Sequence, residues 1–191
     1  RYREYMQKRE DEPLEPGTGL PLVKALLQLN EYAPEDGPPI TEVVILSQNS
    51  PETGVRVLKS IREQDLDISR SAFTAGASVT EYLDAFDVDL FLTTDSEDAR
   101  TVIDSGECAA AVLLVPPDRT PIATDGEVRI ALDGDAVLFS DESELVYKQE
   151  GLEEFHERED ALQDEPLPGG PYEDFLKALA QMQERLPTRI E

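Results

Sequence analysis

The sequence has no tryptophan and is poor in cysteine and histidine, with one residue of each. The single cysteine, Cys108, excludes an internal disulfide and lies in a small apolar run that favours a buried thiol. The single histidine, His156, lies among glutamates, which is typical of a solvated helix residue. No apolar run approaches the roughly 20 residues that span a bilayer, and no signal-peptide pattern opens the chain. We therefore expect a cytoplasmic protein without a membrane partner.

Positive charge is also scarce. Only 17 Lys and Arg residues oppose 42 Asp and Glu residues, which gives a net charge of −25. Such an excess of negative charge repels nucleic acid, so we expect no nucleic-acid partner. It also causes self-repulsion within the folded chain, which salt screens, since the Debye length falls to about 3 Å at 1 M. The composition therefore favours a salt-loving source, the alternative being an ordinary acidic cytoplasmic protein.

The 191 residues, 39% of them hydrophobic, suffice for one soluble domain with a real core. Short apolar runs predict five strands, over residues 41–46, 72–74, 88–92, 109–115 and 128–132. Helical spacing of apolar residues predicts helices over residues 51–64, 79–86, 95–105, 140–149, 153–163 and 172–185. Strands separated by single helices imply a parallel sheet covered on both faces, with ligands beyond the carboxyl ends of the strands.

Two carboxylates, Asp133 and Asp135, follow the last predicted strand. Carboxylates one residue apart at a strand end can divide labour, because one can attack phosphorus while the other moves a proton, and both can hold a hard divalent cation. The pair Asp133-Gly134 between two apolar runs is also typical of a two-residue β-hairpin turn. The local pattern leaves both interpretations open.

The wider sequence closely resembles the nucleophile segment of the cytosolic 5′-nucleotidase type I family, a branch of the haloacid-dehalogenase (HAD) phosphohydrolases. The resemblance is carried by the run Ala131-Leu132-Asp133-Gly134-Asp135-Ala136-Val137-Leu138-Phe139-Ser140-Asp141-Glu142-Ser143-Glu144, and also by residues 43–57, 66–70, 72–76 and 82–92. It covers nearly the whole chain. It implies an α/β fold of the HAD-like, Rossmannoid three-layer type with a parallel sheet, and a helical cap segment after the nucleophile strand.

The resemblance also implies a chemistry. Asp133 would be the nucleophile that forms an aspartyl-phosphate intermediate, and Asp135 would protonate the leaving nucleoside oxygen and then activate water. Mg²⁺ would be held by the Asp133 carboxylate and the Asp135 backbone carbonyl. The expected reaction is Mg²⁺-dependent hydrolysis of nucleoside 5′-monophosphates of the AMP or IMP type.

The sequence matches three further parts of a HAD-like active site less completely. Ser47 and Asn49 are the candidates for binding the phosphoryl oxygens, and Asp95, with Asp98 near it, is the candidate that completes the metal site. A charge-stabilising lysine is expected within residues 78–86, but the sequence has none there. Each candidate also has a structural alternative, since Ser and Asn form turns and Asp95 precedes a helical pattern as an N-cap would.

A segment near the start of the chain recurs near its end. Asp11-Glu12-Pro13-Leu14 returns as Asp164-Glu165-Pro166-Leu167, and Lys24-Ala25-Leu26 returns as Lys177-Ala178-Leu179, both displaced by 153 positions. The same offset would place the counterpart of Asp133 at position −20 and that of Ser47 at position 200. The offset thus predicts a duplication in which this chain begins inside copy one and stops inside copy two.

On this basis we expect three segments. Residues 1–40 form a helical segment that ends the copy-one cap, residues 41–127 form a partial HAD-like copy one, and residues 128–191 begin copy two with the nucleophile strand and cap. Two arrangements remain open. The chain is either a fragment cut at both ends or a circular permutation, in which two partial copies build one domain.

Two functional classes also remain. The first is an enzyme with a nucleoside monophosphate substrate. The second is a non-catalytic HAD-like scaffold or nucleotide-sensing half, and either class is compatible with a homo-oligomer. Replacement of Asp133 by Asn separates the two classes, because only the first predicts the loss of hydrolysis.

Overall fold

The structure is a computed structural model that describes residues 2–114, 128–139 and 169–186, with the side chains of residues 135 and 136 left out. In these ranges the helices are α1 (Tyr2–Lys8), α2 (Leu20–Gln28), α3 (Pro51–Glu63), α4 (Leu83–Phe86), α5 (Ser96–Ser105) and α6 (Glu173–Arg185). The strands are β1 (Val44–Ser47), β2 (Arg70–Phe73), β3 (Leu90–Thr93) and β4 (Ala109–Val112). None of the helices in these ranges is long and apolar enough to cross a membrane.

The strands pair in parallel, as predicted. β1 pairs with β2, with Val44 opposite Arg70, and β3 pairs with β4, with Leu90 opposite Ala109. Helix α3 connects the first pair and α5 connects the second, so each pair is a strand–helix–strand unit. The described strands form two separate two-stranded sheets rather than one continuous sheet. This mixed α/β architecture with small parallel sheets is consistent with a Rossmann-like fold.

Local sequence signals explain where the connecting helices begin and end. Helix α3 begins at Pro51, whose fixed φ suits the first turn of a helix. Gly54 lets this helix approach β2 closely, because a Cβ at this position would lie 2.6 Å from the Phe73 ring. Helix α5 begins after Asp95, and it ends at Gly106, whose positive φ of 71° is favourable for glycine. The predicted stop at Gly106 is therefore confirmed.

The core lies between the β3–β4 pair and the helices beside it. Its buried members are Leu83, Ala99, Val102 and Ala110, and Leu83 and Val102 are only 1% and 0% exposed. Partly buried side chains surround them, namely Leu46, Val88, Phe91, Ile103 and Cys108. Because Leu46 belongs to β1 and Phe91 to β3, both strand pairs pack against the same core.

The amino-terminal segment is held against α3 by polar contacts. The Arg56 guanidinium, which is buried, donates hydrogen bonds to the Glu12 carbonyl at 2.7 Å and to the Pro13 carbonyl at 3.4 Å. The Leu14 N–H donates to the Ser60 hydroxyl at 2.9 Å. A buried guanidinium needs such acceptors, since an unpaired buried charge is strongly unfavourable. The contacts therefore hold residues 12–14 against α3.

The predicted strand over residues 128–132 was wrong. Residues 128–133 have no regular secondary structure, and Gly134–Leu138 form one π-helical turn in which the Phe139 N–H donates to the Gly134 carbonyl at 3.2 Å. The alternative hairpin at Asp133-Gly134 does not occur either. A strand needs a neighbouring edge for its hydrogen bonds, and no described strand pairs with residues 128–132.

The carboxyl-terminal helix agrees with its prediction. Helix α6 spans Glu173–Arg185, and the predicted apolar stripe faces inward, with Phe175 buried and Leu176, Leu179 and Met182 partly buried. The other two helices predicted after Asp133, over residues 140–149 and 153–163, lie outside the described residues, as does His156.

Candidate functional site

The carboxyl ends of β1 and β3 open into one polar cavity of about 490 Å³. Its polar lining comes from the last residues of these strands, the loops after them and the first turn of α5, namely Ser47, Gln48, Thr93, Asp95, Glu97 and Asp98. The shared cavity places the ends of β1 and β3 at the same edge, which is where ligands bind in parallel α/β folds. The structure thus brings together two of the predicted site residues, Ser47 and Asp95.

Ser47 ends β1 and organises the loop that follows. Its hydroxyl accepts a hydrogen bond from the Asn49 N–H at 3.2 Å, and its carbonyl accepts one from the Thr74 N–H at 2.8 Å. The Asn49 carbonyl in turn accepts from the Ala75 N–H at 3.0 Å. Asn49 does not line the cavity that contains Ser47. Both residues therefore have the turn-forming role considered from the sequence, and only Ser47 also faces the cavity.

Asp95 caps the amino terminus of α5. Its carboxylate accepts hydrogen bonds from the Glu97 N–H at 2.8 Å and the Asp98 N–H at 3.4 Å, which are otherwise unpaired groups of the first helical turn. The Thr93 hydroxyl accepts from the Asp95 N–H at 3.0 Å and fixes the approach to this turn. The N-cap alternative for Asp95 is therefore present in the structure, and a carboxylate oxygen in this role retains further lone pairs.

A side-chain contact joins the two loops. The Gln48 amide lies 3.5 Å from the Asp98 carboxylate, so the loop after β1 reaches the first turn of α5. Gln48 and Thr93 were not singled out from the sequence. Their position directly at the ends of apolar runs was the available signal, because side chains at the carboxyl ends of parallel strands face the usual ligand edge.

The cavity is acidic. Among the residues that the structure describes, its charged lining residues are Asp95, Glu97 and Asp98, without a lysine or arginine. A phosphate group would be repelled by this set alone, whereas a cation would be attracted. Within the described ranges, however, no three His, Cys, Asp or Glu side chains are grouped so that they could hold a metal ion.

Asp133 lies outside this cavity. Its side chain is exposed, and its backbone is extended (φ −70°, ψ 150°) immediately before the π-helical turn. Asp135 lies within that turn, but its side chain is outside the described residues. An exposed carboxylate and a backbone carbonyl are hard oxygen donors, so the donor chemistry predicted for Mg²⁺ fits these two residues. The structure does not bring Asp133 to Ser47 and Asp95.

Comparison with known proteins identifies the relatives of the chain. A model of the 5′-nucleotidase family matches residues 1–191. The cytosolic 5′-nucleotidase 1B of Homo sapiens is 32% identical over 194 residues, an alignment that covers 100% of this chain and 32% of the human protein. The chain therefore spans about a third of the length of this curated relative. No solved structure matches the chain. Because the family model covers every residue, the chain belongs to the 5′-nucleotidase family.

Proposed function

We propose that the protein containing this chain is a cytoplasmic 5′-nucleotidase that hydrolyses nucleoside 5′-monophosphates of the AMP or IMP type. The observation that carries this proposal is the family match over the whole chain, and a human relative named as a cytosolic 5′-nucleotidase supports it. The acidic pair Asp133 and Asp135 lies within the matched residues and supplies the residue types that phosphoryl transfer to a carboxylate requires.

The reaction follows from these two side chains. An oxygen of the Asp133 carboxylate attacks phosphorus, the bond from phosphorus to the 5′ oxygen breaks, and Asp135 gives its proton to that oxygen. Asp135 then takes a proton from water, whose oxygen attacks the aspartyl phosphate and releases phosphate while Asp133 is restored. The exposed position of Asp133 supports the first step, because a nucleophile must be reached by its substrate.

Magnesium would be held by the Asp133 carboxylate and the Asp135 backbone carbonyl, where it would neutralise phosphate charge that a protein at −25 repels. Asp95 stays a predicted third metal-binding residue, which would contribute its carboxylate. Ser47 and Asn49 stay predicted ligands of the phosphoryl oxygens, and of these two Ser47 lines the cavity. The cavity shared by Ser47 and Asp95 supports grouping these two, since both lie at the carboxyl edge of the strands.

We further propose a HAD-like three-layer fold with residues 128–191 as the start of a second copy. The parallel pairing of β1 with β2 and of β3 with β4 supports the sheet of such a fold. Helix α6 then belongs to a cap that closes over the substrate. In the fragment arrangement, Asp133 meets a serine of its own copy beyond Glu191, whereas in the permuted arrangement it meets Ser47.

The test is phosphate release from AMP and IMP with added Mg²⁺, in low and in molar salt. Two proteins are compared, this chain and one extended by about 40 residues upstream and about 110 downstream, which completes both copies at the repeat length. Asp133→Asn should abolish nearly all hydrolysis, and the exposed Asp36→Asn, which removes the same charge elsewhere, should not. Full activity of the Asp133→Asn extended protein would contradict the proposed role.

The second candidate is the non-catalytic scaffold or nucleotide-sensing half. The acidic cavity favours it for this part of the protein, because within the described ranges Asp95, Glu97 and Asp98 line it without a lysine or arginine that would attract phosphate. In this case the chain alone would release no phosphate, and Asp133→Asn would leave nucleotide binding and self-association of the chain unchanged. Binding is measured by calorimetry with AMP and self-association by sedimentation.

A further inference from the structure

The two strand pairs leave an apolar slot between them. A cavity of about 430 Å³ is lined by residues 43–46 of the β1 region and by residues 87–92 of the β3 region. Side chains alternate between the two faces of a strand, so a cavity on one face would contact every second residue. Here it contacts consecutive residues of both strands. The cavity therefore lies along the edge of β1 and the edge of β3, which face each other.

These edges are unpaired in the described part of the chain. β1 and β3 belong to different sheets, and no backbone hydrogen bond joins them. In a parallel strand, alternate residues direct their N–H and C=O groups to opposite sides, so about two residues of each four-residue strand direct these groups into the slot. Unpaired backbone groups facing an apolar space are unfavourable. One strand between β1 and β3 would satisfy both edges.

The surroundings of the slot limit its width and close one face. Leu46 of β1 and Phe91 of β3 pack against the same buried cluster, which keeps the two edges near each other. Helix α6 crosses above the gap. At its start the Tyr172 hydroxyl donates to the Ala110 carbonyl of β4, and at its end Arg185 donates to the Pro38 and Pro39 carbonyls before β1.

The length of α6 agrees with room for one strand. Thirteen residues of α-helix span about 20 Å. Across the sheet, the order is β4, β3, the slot and β1. The distance from β4 to β1 is then three strand spacings of about 4.8 Å, or about 14 Å. A helix of this length therefore reaches from the β4 side to the β1 side across one empty strand position.

The sequence repeat identifies the strand that belongs there. Residues 128–132 have the pattern of a buried strand, and the offset of 153 places their copy-one counterpart at positions −25 to −21. The slot lies within the copy-one sheet. The helices over the slot also fit a repeat, because Leu22 and Leu26 of α2 line the slot together with Phe175 and Leu179 of α6, each displaced by 153. The repeat thus gives a counterpart with strand pattern, and the slot gives a place for one strand.

We propose that the slot between β1 and β3 receives one parallel β-strand from the part of the protein that precedes Arg1, the copy-one counterpart of residues 128–132. This strand joins the two strand pairs into one five-stranded parallel sheet. The chain accounts for about a third of the length of its human relative, so residues outside it are expected. The competing occupant is the segment 128–132 itself, since Ile130 already lines the slot.

Hydrogen exchange followed by mass spectrometry tests this proposal. The chain of 191 residues is compared with the protein extended upstream by about 40 residues. The extended protein should show about two further slowly exchanging amides in β1 and about two in β3, because these amides gain a partner. β2 and β4 gain no partner and serve as internal controls, since their unchanged protection shows that both proteins are folded.

Two results would overturn the proposal. In the first, β1 and β3 exchange equally fast in both proteins, so no strand enters. In the second, they are already protected in the chain of 191 residues and Ile130→Pro removes this protection while β2 and β4 stay protected, so residues 128–132 fill the slot. In the protein extended upstream, Asp133→Asn should leave the protection of β1 and β3 unchanged. Failure of the proposed hydrolysis and failure of the slot proposal are therefore distinguishable.

Discussion

Asp95 offers a sharp separation between a structural and a metal-binding role. Its carboxylate accepts two backbone N–H groups at the start of α5. Asp95→Ala removes this cap and should lower the free energy of unfolding by about 1 kcal/mol, since the loss of an N-cap costs about 0.5–2 kcal/mol. Asp95→Asn keeps an acceptor oxygen that caps as well as Asp does, so its effect should stay below about 0.5 kcal/mol.

The assay is urea unfolding of this chain in molar salt, followed by circular dichroism. For a domain of this size, about 1 kcal/mol corresponds to a change of about 2–4 °C in Tm, which a thermal scan detects. Asp104→Ala is the matched control, because Asp104 lies in the same helix and is exposed. It should change stability by less than about 0.5 kcal/mol.

The comparison between the two Asp95 variants shows whether the helix cap or the charge of Asp95 stabilises the chain. If Asp95→Asn destabilises the chain as much as Asp95→Ala, the charge rather than the cap matters and the argument from the helix terminus is refuted. In the permuted arrangement, in which copy-one residues complete the site of Asp133, the metal prediction adds a second readout. There Asp95→Asn should raise the Mg²⁺ concentration needed for hydrolysis while stability stays unchanged, because the substitution removes the charge and keeps the cap.

Three further predictions concern the core, the thiol and the charge. Leu83→Ala should cost about 3 kcal/mol of unfolding free energy, because Leu83 is 1% exposed, whereas Leu114→Ala at a 78% exposed position should cost less than about 0.5 kcal/mol; urea unfolding checks both. Burial raises the pKa of the Cys108 thiol to about 11, so its modification by a thiol reagent at pH 8 should be roughly a hundredfold slower than that of free cysteine, and urea should abolish the difference. The net charge of −25 predicts that Tm rises between about 0.1 M and 1 M salt, and a maximum at low salt would contradict the inference of a salt-loving source.

Local sequence signals were sufficient to predict many of the helices and strands. The helix at α5 was predicted with its cap at Asp95 and its stop at Gly106, because both signals act within one turn of the helix. The four strands that the structure contains were also predicted, each within a few residues. Apolar runs between helical patterns are enough to indicate parallel strand–helix–strand units, since the side-chain periods of strands and helices differ.

The strand over residues 128–132 shows where local reasoning fails. Its apolar pattern is that of a strand, yet a strand forms only against an edge, and the pairing edge is a long-range property. The same limit applies to the site. Ser47 and Asp95 could be grouped from the sequence because each follows a parallel strand. The position of Asp133 depends on whether residues 128–132 find a pairing edge, which no local pattern specifies.

The central claim is that Asp133 accepts the phosphoryl group from a nucleoside monophosphate. It is tested most directly with the protein extended at both ends. This protein is mixed with AMP labelled at phosphorus and quenched with acid, and the label on the protein is measured. Asp135→Asn should increase the label by slowing breakdown of the aspartyl phosphate, and hydroxylamine should release it. The account predicts that Asp133→Asn carries no label and that Asp36→Asn carries as much as the unaltered protein. Label or full hydrolysis retained by Asp133→Asn would contradict the account.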